Sequence, residues 1–278
     1  MENTLPNAVR EPSLINQPQP ALSAASAQWS GRGQNFLVSW NYAGASGVSI
    51  EADSADEIML MVLNAAISIA GGSKAADAPA RSICILPPGK WQLQLEPQAT
   101  CVVLTSLREG AKTNAVNESA YEPRDARIAP VGEPYKVLKD GSDIRVFSID
   151  SVSASKDKPR LKMLQTATMS INWVEYQGPR NREALSPHSH KSFEQGSLAL
   201  AGDFMHHLRV EWGENANLWQ EDKHAVLNSP SLLVVPVQLI HTTEGVGEGH
   251  HLLIDVFSPP RADFIAKGWV FNSGDYAA

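Results

Sequence analysis

The chain has 278 residues, of which 43% are hydrophobic and 19% charged, with a formal net charge of −7. Such a balance is usual for a soluble globular protein of one large or two ordinary domains. It argues against nucleic acid as a main partner, which needs a basic patch, and no apolar run approaches the ~20 residues of a membrane span.

Residues 1–27, rich in Asn, Pro, Gln, Ser and Ala, read as a flexible arm suited to packing on a partner subunit. They lack the basic start and apolar core of a secretory signal, so a cytoplasmic location is expected. From 28 to 107 come short strand-like runs separated by Gly, Pro, Asn and Asp: 35–40, 58–63, 65–70, 82–86, 91–95 and 101–104. Strands of this length and spacing predict a β-sandwich or barrel rather than an α/β domain. Cys84 and Cys101 fall in apolar, strand-like contexts and are expected as buried thiols. Residues 108–134 are polar and proline-punctuated, which marks a linker. Strands resume over 135–278, at 144–149, 163–168, 170–176, 197–201, 205–212, 225–227, 231–235 and 251–257, with one helical stretch after Pro259-Pro260. The expected fold is all-β, two consecutive small barrels.

All eight histidines lie between His188 and His251, so a histidine-based metal site belongs to the second barrel alone. The densest group is Pro187-His188-Ser189-His190-Lys191-Ser192-Phe193-Glu194. On a strand His188 and His190 share one face, and Glu194 rejoins them if the chain turns near Lys191. His241, after the apolar run Leu232 to Pro236, is the third imidazole. Three neutral nitrogens and a carboxylate suit Fe, Mn, Ni, Cu or Zn.

His188-x-His190-x-x-x-Glu194 followed by Gly202 resembles the first cupin motif, and Pro236-x-Gln238-x-x-His241 resembles the second, with Gln238 where the family usually has Gly. The Asn usual four residues past the histidine is replaced by Gly245. The resemblance implies a double-stranded β-helix (jelly-roll) barrel holding one divalent transition metal on His188, His190, Glu194 and His241. The first half is similar to a cupin without histidines: Pro87-Pro88-Gly89-Lys90-Trp91-Gln92 fits the second motif, and counting back from Glu57 puts Glu51 and Asp53 at the two histidine positions. The chain therefore resembles a bicupin with a degenerate first site.

Among the remaining candidates, Trp173, Tyr176, Arg209 and His251 are expected to bind substrate, with Arg209 the strand-borne arginine best placed for a carboxylate. His206 and His207 are adjacent on a strand, so one of them faces inward. The resulting expectation is a metal-dependent enzyme, a dioxygenase or an isomerase or lyase, acting on a small oxygenated organic acid or sugar. The alternative is a non-catalytic bicupin that binds metal or ligand in a structural or sensing role. Exposed barrel edges lead to the expectation of a homodimer.

Overall fold

The computed structural model describes residues 9–16, 25–138 and 143–277. Two jelly-roll barrels lie back to back, each with one large and one small antiparallel sheet. In the first, the six-stranded sheet runs β12 (Arg145–Ser148), β8 (Ser82–Leu86), β5 (Ile58–Val62), β10 (Thr100–Ser106), β3 (Phe36–Tyr42), β2 (Ala27–Arg32). Facing it are β4 (Val48–Ser54), β9 (Gly89–Leu95), β6 (Ile67–Gly71) and β7 (Lys74–Ala78). In the second, the large sheet runs β1 (Ser13–Asn16), β18 (Ser231–Val235), β15 (Gln195–Ala201), β20 (His250–Phe257), β14 (Ser170–Gln177), β13 (Leu161–Gln165). Its small sheet is β17 (Lys223–Asn228), β16 (Asp203–Arg209) and β19 (Ile240–Val246), while β11 (Lys136–Val137) pairs with β21 (Tyr276–Ala277). The helical stretch is α1 (Ala262–Ala266).

Burial explains which runs are wholly apolar. In β9 the pattern alternates, Trp91, Leu93 and Leu95 inward and the glutamines outward, because one face meets solvent. In β5 every residue is buried. Met59 and Met61 join a core that also contains Trp173, Leu232 and Ile254 of the second barrel, whereas Ile58, Leu60 and Val62 fill the first barrel. β18 divides the same way, Leu232 and Val234 toward the shared core, Leu233 and Val235 into their own barrel. The two large sheets therefore share one apolar layer, and their central strands read as continuous hydrophobic runs.

Two edge strands are exchanged. β1, from the N-terminal arm, pairs with β18 of the second barrel, and β12, which lies beyond the linker, pairs with β8 of the first. The described part of the arm thus packs on its own chain: Ile15 is buried, and Arg10 donates to the carbonyls of Ala120 and Pro123. Cys84 and Cys101 are free and buried in the first barrel, with burial pushing both thiols up to about 12.

Candidate metal centre

His188 and His190 lie on the segment leading into β15. His188 forms an antiparallel bridge with His241, each backbone N–H donating to the other's carbonyl at 3.0 and 2.8 Å, and the Gln238 N–H donates to the His190 carbonyl at 2.7 Å. That backbone clamp ties the two parts of the sequence together at the start of β19. It sets the ring centroids of His188 and His241 4.4 Å apart and those of His188 and His190 5.0 Å apart. One ring nitrogen from each of the three histidines lies within 4.8 Å of the others.

The hydrogen bonds behind the rings decide their chemistry. His188 Nδ1 lies 2.9 Å from the Ser186 carbonyl and His241 Nδ1 lies 3.0 Å from the Leu239 carbonyl. A carbonyl only accepts, so both Nδ1 atoms carry a hydrogen, and the neutral ring of His241 keeps its lone pair on Nε2. Burial holds His190 down to about 4 and His241 down to about 3, His188 adding to the second. Both are neutral imidazoles near neutrality, the form that ligates a metal.

Glu194 does not join them. Its Oε2 accepts the Gln34 backbone N–H at 2.6 Å and its Oε1 accepts the Tyr121 hydroxyl at 3.2 Å, which directs the carboxylate away from the trio toward the first half of the chain. Burial pushes it up to about 7. Gln195, the next residue and so on the opposite face, points in. Its Oε1 is 3.0 Å from His190 Nε2 and 3.3 Å from His241 Nε2. Its amide nitrogen donates to Ser197 Oγ and Asp255 Oδ1, both at 3.0 Å, which fixes the oxygen toward the imidazoles. The His241 Nε2 lone pair therefore faces a carbonyl oxygen, two acceptors with no hydrogen between them. A cation satisfies such a set, so the three imidazoles and the amide oxygen fit a metal.

The site opens on a cavity of about 650 Å³ lined by His188, His241, Gln195, Asn172, Asp255 and Thr243 on its polar side and by Phe257, Phe264 and Trp269 on its apolar side. The first half has a comparable groove of about 780 Å³ beside β2 and β3, but no histidine lines it and its Asp56 and Arg108 are paired with each other.

None of the four residues expected to bind substrate lines the metal cavity. Trp173 is buried in the core between the barrels, because alternation along β14 turns its neighbour Asn172 inward instead. Tyr176 stacks on His251 at 5.2 Å, and the His251 ring nitrogens sit beside the carbonyls of Gly249 and Val246. Arg209 is exposed and holds Asp222. The arginines on the cavity are Arg160, Arg180 and Arg261, all from loops, whose direction alternation rules do not predict. His206 is the inward member of its pair: Nδ1 is 3.0 Å from Thr243 Oγ1, and burial lowers it to about 4. His207 turns outward to His224 and Glu244.

In the first barrel Glu51 pairs with Gln92 across β4 and β9, a register like that of His188 and His241. Both side chains are nevertheless exposed, as is Asp53, and the Lys90 ammonium lies 3.7 Å from Glu51 and from Asp53. The inward positions are Ala52 and Trp91, which fill the barrel with apolar atoms, so the pocket expected there is a packed core. Glu57 is buried elsewhere, against Arg145, Tyr276 and the Ala167 N–H.

No family model matches the chain, and no curated protein does. Solved structures match in fold. AerE from Microcystis aeruginosa is 10% identical with a TM-score of 0.55, over 90% of this chain and 98% of its own. The formate complex of Lactobacillus farciminis oxalate decarboxylase is 13% identical at a TM-score of 0.57, covering 91% and 88%. Procruciferin, an 11S globulin from Brassica napus, is 10% identical at 0.57, covering 93% and 87%. Among the described residues no helix is long and apolar enough to cross a membrane. The chain thus shares a tandem jelly-roll fold with these solved structures.

Proposed function

We propose that the second barrel binds one divalent transition metal on His188, His190 and His241, with the Gln195 amide oxygen as a fourth donor, and that the chain is a metal-dependent enzyme acting on a small oxygenated organic acid. The observation that carries this reading is the convergence of three imidazoles and one amide oxygen beside an open cavity. A site closed by protein on every side would favour a purely structural metal. When bound, the metal supplies Lewis acidity and a template, or a redox partner for dioxygen.

The chain's own residues do the rest. The Ser186 and Leu239 carbonyls hold two imidazoles in one tautomer. Asp255 and Ser197 orient Gln195. Phe257, Phe264 and Trp269 exclude water from one wall of the cavity. We propose a homodimer as the working unit, since each large sheet ends in edge strands, β12 and β2 in one and β1 and β13 in the other.

The non-catalytic alternative rests on the 11S globulin likeness, which concerns the fold alone. Elemental analysis of protein purified without added metal, followed by oxygen uptake and product analysis over a panel of organic acids and sugars, separates the two. Near one metal per chain with turnover supports the enzyme, and metal without turnover across the panel supports the alternative. His190→Ala should abolish metal binding, and unchanged metal content in that variant refutes the centre.

A further inference from the structure

The cavity carries more positive charge than its protein partners neutralise. Lys158, Arg160, Arg180, Arg261 and Lys267 all line it. Arg261 is accounted for: it holds Asp263 through two hydrogen bonds and lies 3.8 Å over the Phe264 ring. Lys158 and Lys267 both lie over Trp269, 5.5 and 4.6 Å from the centre of its ring. Arg180 is different. It is half-buried, its one guanidinium hydrogen bond is a long 3.5 Å contact to the Ala184 carbonyl, and no carboxylate lies within ion-pair distance among the described residues. Its charged neighbour is another guanidinium, that of Arg160, itself without a carboxylate partner among the described residues. Burial and Arg160 together hold Arg180 below the usual arginine value.

Four other arginines of the molecule are paired. Arg81, Arg108, Arg127 and Arg209 each grip a carboxylate through two nitrogens. Two like charges brought together on a partly desolvated wall cost free energy unless an anion joins them. The planar fork of a guanidinium matches a carboxylate, and a pair of forks can take one carboxylate from two sides.

We propose that Arg180 and Arg160 form a carboxylate subsite of the metal cavity, and that the ligand is an organic acid whose body, larger than that of a two-carbon acid, fills the rest of that cavity. The volume of about 650 Å³ exceeds what a two-carbon acid fills. The claim that an oxygen of the same ligand meets the metal rests on the centre proposed above; the carboxylate subsite itself does not.

The test uses the full chain and three probes, 3-phenylpropionate, 3-phenylpropionamide and acetate, titrated calorimetrically, with metal content measured on each sample. Wild type should bind the acid at least about tenfold more tightly than the uncharged amide, and more tightly than acetate. Arg180→Ala should remove the preference for acid over amide while metal content stays at the wild-type value. Arg180→Lys, which keeps charge but not the fork, should fall between. Arg160→Ala, at an exposed position, should reduce the preference severalfold without threatening the fold. Equal binding of acid and amide by wild type, or a tenfold preference that survives both alanine variants, overturns the subsite. A wild-type preference for the acid in protein that takes up no metal supports the subsite and counts against the metal centre alone.

Discussion

Gln195 and Glu194 are neighbours with opposite fates, and both can be tested. Gln195→Ala should lower metal affinity by about 10–100-fold, read by competition with a chelator, because it removes a donor and the group that Asp255 orients. Glu194→Ala should leave affinity within a few fold. Glu194 also has a pH signature. Its folded value of about 7 lies above the 4.5 of a free Glu. The stability linked to it is therefore complete below about 4.5 and is lost as pH rises through about 7. Thermal midpoints of wild type should fall relative to those of Glu194→Gln between about pH 5 and 8, and parallel profiles would contradict a carboxylate strained by burial. At this scale the three histidines were legible because alternation and a proline-led turn suffice to align them. The fourth donor was not: the segment from Lys191 to Phe193 is not a strand, so its turn, not a period of two, decides whether residue 194 or 195 faces in. Gln238 takes φ of 68°, which explains why the cupin pattern favours glycine there.

Among elements, the runs that sequence resolved best are those buried on both faces, such as β5, β8 and β18. β4, β7 and β1 were missed, since alternating or short polar strands lack a hydrophobic signal until their partners are known. The face of β4 was also reversed, with Glu51 and Asp53 outward, because a run of alternating acids looks alike whichever face is buried. β1 makes a sharp prediction. Ile15 packs so closely that a Cβ on Gly31 would lie 2.4 Å from its Cδ1 and 2.8 Å from Leu232 Cδ2. Ile15→Ala should cost about 2–4 kcal/mol in urea unfolding. A loss below about 0.5 kcal/mol would mean that the arm does not contribute to the folded core.

Over the whole molecule the exchanged edges and the shared apolar layer make two barrels one unit. The all-β, jelly-roll character could be read from the spacing of short strand-like runs, but not the exchange, since pairings some 60 and more than two hundred positions apart leave no local mark. Residues 28–107 expressed alone lack β12 and half of the common core, and 135–278 alone lack β1. Neither fragment should give a cooperative melting transition by circular dichroism, whereas the full chain should unfold in one step. Two separated transitions in the full chain would show the barrels to be independent.

The pairing of β1 with β18 also sets a schedule for synthesis. Ser13–Asn16 leaves the ribosome some 215 residues before its partner Ser231–Val235 exists. At about 5–20 residues per second that is a wait of roughly ten to forty seconds. During that interval β1 is an unpaired edge, available to any other nascent chain that offers a complementary one.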